Sequence, residues 1–239
     1  MYRGTMTIAT STSHVVSGTT SRSDGDWSLE RLPAQLERLG SLLARRHGQR
    51  PERTVWTEQV HGAQVLVVGD SETGNLGRAD ALVTDRPDVL LTVRTADCVP
   101  VFLESPEAVG IVHAGMAGAL KQVFPRAVRT MRRHYKVRPE DLHVRFGPHI
   151  CSSCYTMSER NLRLLESYPD AKQHLSTRGD RQFYSLLGLL TDQAGSVGIR
   201  RIEADARCTY HGDDLFSSRR NHDHRLLSYV MLTRTARNA

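Results

Sequence analysis

The sequence predicts a mixed α/β chain folded as one domain. Three observations carry this. Short apolar runs bounded by turn residues alternate with stretches whose leucines recur at helical spacing, from about residue 32 to residue 232. Apolar residues make up 39% of the 239 positions and charged residues 24%, which suits a soluble chain with a sizeable core. No internal repeat, low-complexity segment or run long enough to span a membrane interrupts the pattern.

Taken in order, residues 1–18 are rich in Ser and Thr, so a loosely held N-terminus is expected, with the domain running from 19 to 239. This start lacks a continuous apolar segment of the kind a signal peptide needs. With four cysteines and no export signal, the expected compartment is the reducing cytoplasm. Leu36, Leu39, Leu42 and Leu43 predict a helix over 32–47, stopped by Gly48 and Pro51. Strands are expected at 53–58 and 64–68, then a turn-rich loop at 69–78. Two buried strands at 81–84 and 89–94 flank a turn with Pro87. The runs 99–103 and 108–112, joined by Ser105-Pro106-Glu107, read as a hairpin. A helix over 115–136 should break near Pro125, and its small-residue start at Gly115, Ala117 and Gly118 would let an anion such as phosphate approach. Further on come a strand at 142–146, a helix at 159–168 capped by Ser158, a helix at 183–196, and strands at 200–204 and 227–232.

Net charge is +6, and part of the excess lies in RAVRTMRRHYKVR, residues 126–138. Aromatic interleaving is poor there, so the stretch reads as the solvated face of a helix and not as a nucleic-acid surface.

Chemistry concentrates around the hairpin. Cys98 opens its first strand and His113 closes its second, so both side chains fall near one end. His61 sits where another strand-like run breaks at a glycine. Two imidazoles and one thiolate suit zinc, and three protein ligands leave a position open, as in catalytic zinc sites. Spacing alone leaves alternatives standing. Cys98 could be a small buried hydrophobe with two structural histidines, or a nucleophile with His113 as its base. A second set, CSSC at 151–154 and CTYH at 208–211, has the CxxC and CxxH form of a zinc knuckle. The gap between its halves is long for a compact knuckle, and a polar loop is the expected reading. No thioredoxin-like context surrounds Cys151 and Cys154.

Six segments then occur in a telling order: Gln59-Val60-His61-Gly62, Ala79-Asp80-Ala81-Leu82-Val83-Thr84, Thr95-Ala96-Asp97-Cys98, Val112-His113-Ala114-Gly115, Gly147-Pro148-His149-Ile150 leading to Cys154-Tyr155, and Cys208-Thr209-Tyr210 leading to Phe216-Ser217-Ser218-Arg219-Arg220. Together they resemble the laccase-domain family, also described as multicopper polyphenol oxidase-like proteins, zinc-dependent purine nucleoside phosphorylases or peptidoglycan editing factors. The resemblance implies an α+β fold of layered mixed sheets flanked by helices. It implies Zn²⁺ in preference to copper, held by His61, Cys98 and His113. It implies phosphorolysis of adenosine, inosine or methylthioadenosine to base and ribose 1-phosphate, with adenosine deamination as a side activity. The partners so implied are a purine nucleoside and phosphate, with no nucleic acid or membrane, in a monomer or small homo-oligomer. Asp97 and Gln59 are candidate catalytic residues, Asp97 as proton shuttle or ligand orienter and Gln59 as a partner of substrate or metal-bound water. Cys154, Arg219 and Arg220 are candidate substrate-binding residues.

The chain departs from the family's pattern in two places. Met116 and Ala117 stand where the family has Trp and Arg. Residues 19–28 only loosely echo the family's TTRxGGVS segment. Other classes remain open: a muropeptide-editing hydrolase, a copper phenol oxidase, and a zinc-binding homologue without catalysis. The HxE and PCxxC signature of nucleoside deaminases is absent.

Overall fold

The computed structural model describes residues 10–12 and 14–234. In chain order its elements begin with β1 (Thr10–Thr12), β2 (Val15–Thr19), α1 (Leu36–His47), β3 (Arg53–Glu58), β4 (Val65–Val67), β5 (Gly74–Arg78), β6 (Ala81–Thr84) and β7 (Val89–Thr95). The hairpin strands β8 (Val99–Glu104) and β9 (Val109–Ala114) follow, then α2 (Met116–Leu120), α3 (Val123–Tyr135) and β10 (His143–Phe146). The chain ends with α4 (Glu159–Glu166), β11 (Leu175–Arg178), β12 (Arg181–Tyr184), α5 (Leu186–Ser196), β13 (Arg201–Ala204) and β14 (Leu226–Leu232).

Two six-stranded mixed sheets pack face to face. One has the order β1-β2-β14-β7-β3-β5, the other β13-β10-β8-β9-β6-β4. Strand alternation sorts the side chains into layers. Val89, Leu91 and Val93 of β7 and Val230 and Leu232 of β14 point into the inter-sheet core, where they meet Leu82, Phe102, Val109 and Ile111. Leu90, Leu227, Tyr229 and Met231 point outward onto Leu39, Leu42 and Leu43 of α1. On the far side, Val99, Val101, Leu103 and Val112 pack against Phe124, Val128 and Met131 of α3 and Leu190 of α5. The result is helix, sheet, sheet, helices, the layered α+β arrangement expected from the family resemblance.

Four expectations need correcting. Residues 15–18 are not loose. They lie in β2, fully paired with β14, and Ser17 Oγ donates to the buried Glu104 of the other sheet at 2.6 Å. Ser and Thr serve here as buried strand residues; residues 1–9 and 13 fall outside the described residues. The loop expected at 69–78 contains β5, which pairs parallel to β3. The helix expected from 183 starts at Leu186, because 181–184 pair with β11. The helix break falls at Gln122, whose φ is +61°, and not at Pro125. Pro125 lies in the first turn of α3, where the missing N–H would have had no helical partner. The basic residues Arg126, Arg129, Arg132 and Arg133 all lie on the exposed face of α3, as expected.

Candidate metal centre and its cleft

The site lies at the mouth between the two sheets. In the β8–β9 register Pro100 faces His113 and Val99 faces Ala114, so Cys98 and His113 arrive at the same edge of the hairpin. Ala81 faces Val112 across β6 and β9, and His113 N donates to the Asp80 carbonyl at 2.7 Å. Asp80 therefore stands beside His113 where β6 begins. His61 comes from the loop that carries the chain from β3 in one sheet to β4 in the other.

The donor atoms of His61, Cys98 and His113 lie within 4.8 Å of one another. His61 Nε2 is 3.8 Å from Cys98 Sγ, and the two imidazole rings meet edge to face at 4.8 Å. His61 is exposed and has a φ of +54°, which its anchoring explains. The fully buried Asp80 carboxylate accepts from three successive backbone N–H groups, Val60 at 3.2 Å, His61 at 3.0 Å and Gly62 at 2.7 Å. It also accepts from His113 Nδ1 at 2.8 Å, which leaves Nε2 of that ring free as a ligand. One carboxylate thus orients two of the three donors. Burial opposes its ionisation, but His113 and the backbone donors outweigh that and hold its pKa low. Asp80 sat in a recognised segment without a role. The signal was available: a lone carboxylate opening a strand of otherwise buried residues needs a partner.

Cys98 and His113 each favour the other's charged form. Burial works against both charges. The two histidines nevertheless hold the Cys98 thiol down at about 6, and Cys98 and Asp80 raise His113 to about 9. Gly115 makes the approach possible: a Cβ there would meet His61 Cδ2 at 2.5 Å and Cys98 Sγ at 3.0 Å.

The three residues line a cleft of about 370 Å³, enough for a small organic ligand. Arg94, Arg225, Glu30 and Glu58 line it too, and none of these was singled out in the sequence. Arg94 is nearly buried; its Nη2 donates to the Thr57 carbonyl at 2.8 Å, while its Nη1 has no partner among the described residues. Burial lowers its pKa to about 10.

The other expected site residues stand elsewhere or are otherwise engaged. Gln59 lines the cleft, but its amide is committed at both ends to the Arg94 backbone, donating to O at 2.7 Å and accepting from N at 2.8 Å. It ties the end of β3 to β7. Asp97, with a φ of +103°, accepts from Thr209 Oγ1 at 2.6 Å and from Arg219 N at 2.8 Å. Both its carboxylate oxygens therefore accept hydrogen bonds. Arg219 donates through Nη1 to the Thr156 carbonyl and hydroxyl and stacks over Tyr155. Arg220 donates to the carbonyls of Gly212 and Leu215. Arg220 Nε has no partner among the described residues, and neither arginine lines the cleft. Cys154 belongs to a different cluster, 3.2 Å from His211 Nε2. Of the two departures from the family pattern, Met116 is buried in the helix-side core at the start of α2. That helix has five residues, a poor source of a helix dipole for an anion. Residues 28–30, at the end of the loose echo and just past it, line the cleft.

Comparison with known proteins gives the family. A family model described as multi-copper polyphenol oxidoreductase laccase matches residues 9–233. The chain belongs to that family. It is 34% identical over 196 residues to a purine nucleoside phosphorylase of Streptomyces coelicolor, covering 80% of each chain. It is 34% identical over 207 residues to another of Streptomyces griseus, covering 84% of this chain and 82% of the relative. Among solved structures it resembles YlmD from Geobacillus stearothermophilus with a TM-score of 0.81 at 26% identity, over 92% of both chains. Among the described residues no helix is long and apolar enough to cross a membrane.

Proposed function

We propose that the chain is a zinc-dependent purine nucleoside phosphorylase whose metal is held by His61, Cys98 and His113. The carrying observation is the three-donor site, pre-ordered by Asp80, opening on a cleft that also holds a buried, incompletely paired arginine. A donor set of two imidazoles and one thiolate at these separations fits a tetrahedral ion with one open position. Relatives that carry the phosphorylase name supply the substrate class.

In phosphorolysis the bond between C1′ of the ribose and the purine nitrogen breaks and a bond from C1′ to a phosphate oxygen forms. The leaving base takes a proton. A bound zinc ion would supply Lewis acidity toward an anionic oxygen. Arg94 and Arg225 offer cationic donors to phosphate inside the cleft. Glu30 and Glu58 are the carboxylates placed to exchange a proton with the base or hold the ribose hydroxyls. The cleft walls are Leu29, Thr95 and Ala96, a mixed lining suited to a nucleoside.

The test is adenosine and inosine consumption by purified protein, with and without phosphate, beside metal analysis and the His113→Ala variant. Phosphate-dependent release of free base, lost with the metal in the variant, is the expected result. Phosphate-independent conversion of adenosine to inosine would make the chain a deaminase. Metal without turnover of any purine nucleoside would sink the reading. Copper in place of zinc would move the chain toward the oxidoreductase chemistry of its family's name, since two histidines and one cysteine also suit copper.

A further inference from the structure

We propose that Cys151, Cys154, Cys208 and His211 hold a second zinc ion, a structural one, behind the candidate active site. The four donor atoms lie within 4.8 Å of one another although two loops supply them. For zinc–sulfur bonds of about 2.3 Å the sulfurs of a tetrahedral site stand about 3.8 Å apart, so small side-chain torsions complete the shell. His211 Nε2 is already 3.2 Å from Cys154 Sγ. Three sulfurs and one nitrogen make a closed set with no position left for substrate, which is the structural pattern.

The backbone is shaped for this purpose. Residues 151–155 make two tight turns: the N–H groups of Cys154 and Tyr155 both donate to the Cys151 carbonyl at 3.0 Å. That brings both cysteines of the CxxC to one side. On the other loop, Gly212 N donates to the Cys208 carbonyl at 2.8 Å, turning His211 back toward Cys208. The Cys151 N–H donates to Cys208 Sγ at 3.2 Å, and Ser153 Oγ lies 3.0 Å from Cys151 Sγ. Donors aimed at sulfur favour the thiolates a metal requires. Binding releases three thiol protons to solvent, and the complex carries a net charge of about −1.

The ion would clip two segments beyond the point where the β10–β13 pairing ends. Past that pairing the backbone makes an isolated bridge, His149 to Cys208, with His149 N donating to the Arg207 carbonyl at 3.4 Å and Thr209 N to the His149 carbonyl at 3.0 Å. The same segments hold Asp97: Ile150 N donates to its carbonyl at 3.0 Å and Thr209 Oγ1 to its carboxylate at 2.6 Å. Asp97 precedes Cys98, so the second ion steadies the first site from behind without touching its cleft.

The test counts zinc per chain in protein purified without chelator, for wild type, His113→Ala and Cys208→Ser. About two ions in wild type and about one in each variant is expected. One ion in wild type that disappears in His113→Ala overturns the proposal; one ion that survives in His113→Ala supports it while sinking the triad. Should Cys208→Ser fail to fold, cobalt substitution of the His113→Ala protein decides. Intense visible bands of a tetrahedral cobalt site with strong thiolate-to-metal absorption are expected, and their absence overturns the proposal. So does a Cys151–Cys154 disulfide in protein purified and digested without oxygen.

Discussion

The two Cys/His clusters differ in what surrounds them. His61, Cys98 and His113 come from a crossover loop and the open end of a hairpin, and they face a cleft. Cys151, Cys154, Cys208 and His211 come from two loops and face each other. In the first, a fully buried carboxylate fixes the ligands and the sheets fix the carboxylate. In the second, order would come from the ion itself. A site that must leave a position open borrows its rigidity from the fold, whereas a closed site can lend rigidity to loops.

The comparison predicts a double dissociation, and it carries the largest effects. Cys98→Ser should lower phosphorolysis by about 10³-fold or more, since loss of metal charge at the reacting oxygens costs several kcal/mol. Its melting temperature should change little, because the inter-sheet core and Asp80 remain. Cys208→Ser should do the reverse, lowering the melting temperature by several degrees in a zinc-dependent way while retaining measurable turnover. Paired kinetics and calorimetry check this. Equal effects of both variants on both readouts would erase the distinction.

A third polar cluster holds the sheets together with no role for a metal and serves as the control. Glu104 accepts from Ser17 at 2.6 Å and from Arg145 at 3.0 Å, and Arg145 also donates to Ser17 at 2.6 Å. Burial disfavours the Glu104 charge, but His143, Arg145 and Ser17 outweigh it and depress its pKa. A depressed carboxylate stabilises the fold above its unfolded pKa of about 4.3, and this contribution is lost as pH falls through the folded value. Glu104→Gln should cost about 3–5 kcal/mol in urea unfolding at pH 7 by stranding Arg145. It should also flatten the loss of stability below pH 4.5. Zinc content should stay unchanged, in contrast to variants of either cluster.

Asp80→Asn would sharpen the view that the fold orders the first site. The amide must turn an N–H toward one of the donors at Val60, His61, Gly62 or His113. Zinc affinity at the first site should fall about 10–100-fold, the usual size of such second-sphere losses. A chelator titration that follows zinc release in two steps reads this directly: the weaker step should move and the other should not.

What was legible in the sequence followed from periodicity and from local chemistry. The strands of the hairpin and α1 announce themselves within short windows, whereas the spacing of His61, Cys98 and His113 left a structural and a nucleophilic reading beside the metal one until the family resemblance was added. Asp80 was legible as a carboxylate in need of a partner, but which partners it has was not, because they are backbone groups some twenty residues away. Arg94 was missed for a related reason: in sequence it is a charge at the end of a strand, and only the packing shows one nitrogen without a partner among the described residues. Arg219 and Arg220 look exposed in sequence, and only the fold shows each donating to a loop carbonyl. The CxxC and CxxH halves were visible, but their convergence depends on the parallel bridge between residues 149 and 208, a long-range pairing without a local signature.

The smallest predicted effect concerns the link between the clusters. Thr209 Oγ1 donates at 2.6 Å to Asp97, and Arg219 N donates to the other oxygen at 2.8 Å. Asp97 keeps a φ of +103°, a conformation that costs about 1–3 kcal/mol and persists only while neighbours enforce it. Thr209→Val keeps the shape of the side chain but removes one enforcer, leaving a carboxylate oxygen short of a donor inside a buried region. The stability loss should be about 1–3 kcal/mol. Both zinc ions should stay, because no ligand is altered. If Asp97 positions Cys98, kcat should fall several-fold with KM nearly unchanged, and Thr209→Ser, which restores the hydroxyl, should recover most of it. If Asp97 merely caps a turn, Thr209→Val should lose stability while kcat holds, and the two clusters would then be neighbours in the fold without being coupled.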